Sequence, residues 1–189
     1  DQRNFPDEFK VERTVRRDDN GELLRWPHEY SKEIKLLVVH HTAIPVTGDT
    51  RPGVEKVRAL YAYHADNRGW GDIGYHYVVD DAGQIYEGKS GGDFVVGGHA
   101  YCHNVDTIGI ALLGNFEIEK PTQAQMKSLQ WLLYYLVGKY QLDMSKTTEY
   151  HGANFPPIVG HGDLLKTDCP GYYVKATLDQ VRTNVIKGD

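Results

Sequence analysis

The stretch Leu36-Leu37-Val38-Val39-His40-His41-Thr42 is an apolar run that ends in two histidines. It extends back to Ile34, interrupted only by Lys35, and predicts a buried β-strand. Because side chains alternate between the two faces of a strand, only one of His40 and His41 can reach a given site. Open α/β sheets gather ligands at the C-terminal ends of their strands, so this end is a candidate site.

A second segment, residues 161–170, begins with His161 and places Cys169 in a predicted loop, directly before Pro170. This spacing matches no short zinc-finger pattern, and a core histidine with an inert buried thiol is the alternative interpretation. Two imidazoles and one thiolate, however, form a ligand set for zinc with one coordination position left for water. The two segments together therefore predict a zinc hydrolase.

Apolar periodicity and turn residues divide the rest of the chain into helices and strands. The predicted helices are residues 50–66, 122–140 and 175–187, and the predicted strands are residues 34–39, 75–79, 84–87, 107–113 and 156–160. Thr122 and Gln125 fit a capping box at the start of the long helix. We expect a single α/β domain with a central mixed β-sheet flanked by helices over residues 34–189, after a polar N-terminal extension, residues 1–33, anchored by Trp26 and Tyr30.

The composition bounds the function. A net charge of -5 argues against nucleic acid as a partner, since no basic excess is available to neutralise phosphates. No apolar run approaches the roughly 20 residues that span a bilayer. No signal-peptide pattern is recognised in these residues, and we interpret the start at Asp1 as that of a mature or trimmed form. The two cysteines, Cys102 and Cys169, leave a disulfide open, but if Cys169 binds metal, Cys102 is expected to be a small buried thiol.

Several motifs occur in one order along roughly residues 34–187. They are His40-His41-Thr42-Ala43, Gly69-Trp70-Gly71-Asp72-Ile73-Gly74-Tyr75-His76-Tyr77, Gly98-His99, Thr107-Ile108-Gly109-Ile110, Gly114-Asn115-Phe116 and the segment from His161 to Cys169-Pro170-Gly171. Together they resemble the zinc-dependent N-acetylmuramoyl-L-alanine amidases related to peptidoglycan recognition proteins and phage amidases. The resemblance implies a peptidoglycan-recognition-protein-like fold and cleavage of the amide between N-acetylmuramic acid and L-alanine.

The resemblance also implies residue roles. It assigns His40, His161 and Cys169 as the Zn²⁺ ligands, with Tyr75 near the reacting water and Thr167 contacting the oxyanion. Four further residues are expected to line a shallow substrate groove, Trp70 as a wall anchor: His99, His41, Trp70 and Phe94.

Two departures from the family pattern limit the comparison. Amidases that recycle cytoplasmic anhydro-muropeptides carry a glutamate where this chain has Ala111, so no such base is expected. Animal recognition proteins usually carry a cysteine pair after the first histidine; its absence favours a bacterial or phage origin, and no stem-peptide preference is implied.

Three functions remain open from the sequence: an amidase, a binding module without catalysis, and another zinc hydrolase. Binding-only relatives have lost a zinc ligand, whereas this chain keeps all three and Tyr75, which favours the enzyme. We expect a monomer that acts on a peptidoglycan glycopeptide, in an extracellular, cell-wall or periplasmic location, with a phage lysin as one form.

Overall fold

The computed structural model describes residues 29–188, and a mixed sheet lies at their centre. Its strands are β1 (Leu36–His41), β2 (Tyr77–Val79), β3 (Ile85–Glu87), β4 (Thr107–Leu112) and β7 (Ile158–Gly160), while β5 (Thr148–Tyr150) and β6 (Ala153–Phe155) form a separate hairpin. The five strands lie in the order β3-β2-β4-β1-β7. Only β3 is antiparallel to its neighbour. The predicted mixed sheet is confirmed, and the strands predicted over residues 75–79 and 84–87 pair as the antiparallel hairpin of β2 and β3.

Helices surround this sheet. They are α1 (Gly53–Ala62), α2 (Gln123–Tyr140), α3 (His161–Leu164), α4 (Tyr172–Lys175) and α5 (Leu178–Lys187), and a π-helical turn (Tyr63–Asn67) follows α1. Thr122 and Gln125 form the predicted capping box at α2. The helix predicted over residues 175–187 is present as α5 but begins at Leu178, because a turn at residues 176–177 separates it from α4. There the Thr177 hydroxyl donates to the carbonyl of Val174, a side-chain bond that competes with helix continuation.

The central strand β1 is buried on both faces, as its apolar run predicts. Leu37 and Val39 pack into the large core shared with α2 and α5. Leu36 and Val38 face the other way, into a smaller cluster that includes Tyr150 of β5. The alternation therefore puts His40 on the face opposite to α2.

Other expectations fare differently. The β5–β6 hairpin was missed, because its short polar strands give no apolar alternation. Cys102 was expected to be buried but is exposed, in a turn with positive φ, and neither it nor Cys169 forms a disulfide.

The predicted extension lies mostly outside the described residues, and so does Trp26. Within the described part, Tyr30 forms an isolated β-bridge with Val95, and the amide of Asp106 donates to the hydroxyl of Ser31 at 2.7 Å. Residues 29–31 thus contact the domain, and the boundary at residue 33 stays a prediction. Among residues 29–188, no helix combines the length and the apolar character needed to cross a bilayer.

Candidate metal and catalytic site

The three predicted zinc ligands meet at the C-terminal ends of two neighbouring strands. His40 lies at the end of β1, and His161 follows directly after β7, its parallel neighbour. Cys169 lies in the loop after α3 and approaches both. The candidate ligand atoms of the three residues all lie within 4.8 Å of one another, and Nδ1 of His40 is 3.5 Å from Sγ of Cys169. The fold therefore brings together the ligand set that the sequence predicts.

The separation of Nδ1 of His40 and Sγ of Cys169 fits a shared zinc ion. Tetrahedral nitrogen and sulfur ligands at zinc bond lengths lie about 3.3–3.6 Å apart, close to the separation of His40 and Cys169. Nε2 of His161 is buried and has no hydrogen-bond partner within residues 29–188. Such a nitrogen is costly to bury unless something binds it, and a metal ion at this position would do so.

Burial sets the protonation of the three residues. It lowers the pKa of His40 well below its usual value and also lowers the pKa of His161, so both imidazoles are neutral and offer lone pairs. Burial raises the pKa of the Cys169 thiol to about 12. The amide of His41 donates to its sulfur at 3.4 Å and acts in the opposite direction. Metal binding would therefore release the thiol proton.

Short contacts hold the loop that carries Cys169. The amide of Gly162 donates to the Cys169 carbonyl at 2.7 Å, and a Cβ at position 162 would lie 2.9 Å from that oxygen. A side chain there would push the loop away from His161. Thr167 is exposed, and its hydroxyl oxygen accepts from the amide of Cys169 at 3.3 Å. Thr167 thus lies beside the cluster, where the oxyanion contact was predicted.

Tyr75 lies in the segment just before β2, with its ring centroid 5.2 Å from that of His40. Burial, followed by the charge of Cys169, raises the pKa of Tyr75 above its usual value. The phenol therefore keeps its proton near neutral pH and can act as a hydrogen-bond donor beside the cluster.

His64 of the π-helical turn supports Tyr75 from behind. Its ring lies 5.5 Å from that of Tyr75 and 4.7 Å from that of Trp70, and its Nδ1 accepts from the amide of Gly74 at 3.2 Å. Trp70 thus packs on the side of His64, which in turn contacts Tyr75. His64 lies within the helix predicted over residues 50–66, but no local pattern indicated its contact with Tyr75.

The remaining predicted groove residues separate. His99 is buried, and its Nδ1 lies 3.0 Å from Nε2 of His40. His41 points to the other sheet face, where its Nδ1 accepts from the amide of Phe116 at 3.2 Å. The ring of Phe94 packs edge-on against Tyr140 of α2 at 5.5 Å, away from the cluster. Of these three residues, the structure brings only His99 to the cluster.

Comparisons with known proteins agree with this fold and identify a family. Residues 30–172 match the family model described as N-acetylmuramoyl-L-alanine amidase. A human protein of that name is 35% identical over 154 residues, which cover 78% of this chain and 24% of the human protein. A peptidoglycan recognition protein of Trichoplusia ni is 33% identical over 141 residues, covering 75% of this chain and 71% of that protein. The solved structure of Drosophila PGRP-LB superposes with a TM-score of 0.67 at 27% identity, covering 80% of this chain and 84% of that one.

These matches define the class first: a single mixed-sheet domain of the peptidoglycan-recognition-protein fold. The chain belongs to the N-acetylmuramoyl-L-alanine amidase family. The resemblance inferred from the motifs is thereby confirmed. The chain spans only about a quarter of the human relative, and family members named as amidases and as recognition proteins both match it.

Proposed function

We propose that this chain is a zinc hydrolase that cleaves the amide between N-acetylmuramic acid and L-alanine in peptidoglycan. The observation that carries the proposal is the cluster of His40, His161 and Cys169 with Tyr75 against it, in a chain of the amidase family. Zinc held by such a set acts as a Lewis acid that activates water and polarises a carbonyl.

The chain's own residues supply the rest of the chemistry. The phenol of Tyr75 stays protonated and can donate a hydrogen bond to oxygen that gains charge in the transition state. The oxygen of Thr167 accepts from a backbone amide, which leaves its O–H able to donate to the developing oxyanion. Positioned donors of this kind contribute about 3 kcal/mol each in other hydrolases.

A serine mechanism has little support from the structure. Residues 88–92 spell Gly-x-Ser-x-Gly, a motif that in α/β-hydrolases forms a sharp turn between a strand and a helix. Here this segment lies in a turn after β3 and enters no helix, and the amide of Ser90 donates to buried Asp72 at 2.7 Å. We therefore attribute cleavage of the unactivated substrate amide to the proposed zinc site and not to Ser90.

A binding module without catalysis is the second candidate, because recognition proteins are among the relatives. Retention of three metal-binding side chains and of Tyr75 favours the enzyme, since binding alone needs none of them. Action on peptidoglycan would place the protein at a cell wall, outside the cytoplasm.

Digestion of purified sacculi tests the proposal directly. Zinc-loaded protein should release stem peptides that begin with alanine and leave glycan strands intact by mass spectrometry, on walls of the diaminopimelate type, the lysine type, or both. Cys169→Ser protein serves as the control and should release nothing. Binding without release would instead indicate a recognition module, new reducing ends a glycosidase, and internally cut peptides an endopeptidase.

A further inference from the structure

A series of hydrogen bonds through three side chains, those of His40, His99 and Thr107, leads from the proposed zinc site into the protein. Nε2 of His40 lies 3.0 Å from Nδ1 of His99, and Nε2 of His99 lies 3.3 Å from Oγ1 of Thr107. Oγ1 of Thr107 in turn donates to the carbonyl of His103 at 2.9 Å, with the carbonyl of Asn104 at 3.1 Å. All three side chains are buried, so water does not replace these contacts.

The carbonyl groups beside Thr107, at the inner end of this series, determine the direction of every hydrogen bond in it. Carbonyl oxygens only accept, so the single hydroxyl hydrogen of Thr107 goes to one of them and its oxygen accepts from Nε2–H of His99. A neutral imidazole carries one N–H, so Nδ1 of His99 is an acceptor and Nε2 of His40 is the donor. Nδ1 of His40 is then left with a free lone pair, and this is the atom that faces Cys169.

The backbone around His99 is shaped to its ring. A Cβ at position 109, in the middle of β4, would lie 2.5 Å from Cδ2 of His99, and one at position 97 would lie 2.7 Å from the same atom. Glycine in the interior of a strand weakens that strand, and its presence often marks a place where another group must approach the backbone closely. The side-chain oxygen of Asn104 also accepts from the amides of His99 and Ala100, at 2.8 and 2.7 Å.

We propose that His99 and Thr107 are positioning residues that hold His40 in its Nε2–H tautomer and aim its Nδ1 lone pair at the metal position. The inference rests on the proposed zinc site and extends it, since it gives His99 a role behind the ligand in place of a groove contact. A metal-binding histidine commonly donates its second N–H to a partner that fixes its orientation, and losing that partner weakens metal affinity about 10–100-fold.

The first test needs no variant and no metal. Two-bond ¹H–¹⁵N correlation spectra of the metal-free wild-type protein report which nitrogen of each imidazole carries hydrogen. His40 and His99 should both show the Nε2–H form. A Nδ1–H form of His40 in the metal-free protein would overturn the proposal.

The second test compares two substitutions at Thr107 by chelator competition for zinc. Thr107→Val keeps the shape but removes the last acceptor of the chain, so zinc affinity should fall about 10-fold or more and His40 should populate its second tautomer. Thr107→Ser keeps the hydroxyl and should restore both. Wild-type affinity and an unchanged tautomer in Thr107→Val would contradict the role of Thr107; if that variant does not fold, the wild-type spectra still decide.

The two proposals fail in distinguishable ways. If the wild-type protein shows the predicted tautomers but binds no zinc, or binds zinc without cleaving sacculi, the proposed function fails and the hydrogen-bond chain stands. If wild-type protein binds zinc and cleaves sacculi but Thr107→Val binds zinc equally well, only the positioning role fails.

Discussion

Nδ1 of His40 and Sγ of Cys169 lie 3.5 Å apart although 129 positions separate them in the chain. His40 is the next-to-last residue of the central strand β1, and Cys169 lies in the loop after α3, which follows the neighbouring strand β7. The contact therefore depends on the parallel pairing of β1 with β7 and on the hydrogen bond from the amide of Gly162 to the carbonyl of Cys169, which holds the loop in place.

Cys169→Ser should abolish zinc binding while the protein stays folded. The Cys169 sulfur is one of the three proposed zinc ligands, whereas the main core lies on the other face of the sheet and does not involve this residue. Elemental analysis should find about one zinc per wild-type chain and almost none in the variant. Zinc should also raise the melting temperature of the wild type alone, since only a bound ligand stabilises the folded state.

Cys102→Ser is the matched control, because Cys102 is the other cysteine of the chain and is exposed. It should keep full zinc content. Full zinc occupancy in Cys169→Ser would remove Cys169 from the ligand set.

Tyr75→Phe should leave zinc content unchanged and lower hydrolysis about 10²-fold or more, the scale of losing one positioned donor in a transition state. The ring would still pack against His40 and His64, so only the hydroxyl is lost. Turnover is measured as free amine released from sacculi. Tyr77→Phe is the control, because it also removes a phenolic hydroxyl. That hydroxyl donates to Asp93 on the other face of the sheet, so this variant should retain activity. Near-normal turnover of Tyr75→Phe would refute its catalytic role.

Gly109→Ala should destabilise the protein by about 1–3 kcal/mol, the usual cost of forcing atoms into a packed interior. The new methyl group would meet the ring of His99, so zinc affinity should fall as well. Urea unfolding of the metal-free protein measures the first effect. Gly138→Ala is the matched control. Apart from its chain neighbours and its own helix backbone, no atom of residues 29–188 lies within 4 Å of the added carbon in α2, so the substitution should stabilise the protein by about 0.5–1 kcal/mol. Equal stability of the two variants would contradict this packing account.

Stability should fall as the pH drops from about 6.5 toward 4. Burial lowers the pKa of His76 and of His64 from 6.5 to about 4 in the folded protein. Between these values the unfolded chain binds protons that the folded chain does not, so acid favours unfolding. The stabilisation is complete above 6.5 and amounts to at most about 3 kcal/mol for each histidine. Urea unfolding across this range measures the slope.

His76→Gln identifies one source of that slope. In the wild type, Nδ1 of His76 accepts from the amide of Gly109 at 3.0 Å, and Nε2 lies 2.7 Å from the carbonyl of Val95. In the variant, the number of protons taken up on unfolding, which sets the slope of the unfolding free energy against pH, should be smaller by up to one, whatever the absolute stability of the variant. A slope identical to that of the wild type would show that His76 does not titrate in this way.

Much of this protein follows from short stretches of its sequence. The run that ends at His40 and His41 specifies a buried strand with one histidine on each face, because alternation is a property of neighbouring residues. The hairpin of β2 and β3 and the capping box of Thr122 are local in the same sense. Motif order along the chain identified the family, and the ligand set followed from that resemblance.

The tertiary structure decided what depends on residues far apart in the chain. The sequence placed His99 and Phe94 in one groove, yet His99 turns inward to His40, 59 positions away, and Phe94 packs on α2. Cys102 is exposed where a buried thiol was expected. The physical reason is that a polar side chain in a loop finds its partner only when strands and helices close around it. The periodicity of apolar residues within a short segment does not predict which distant residues will contact it in the folded protein.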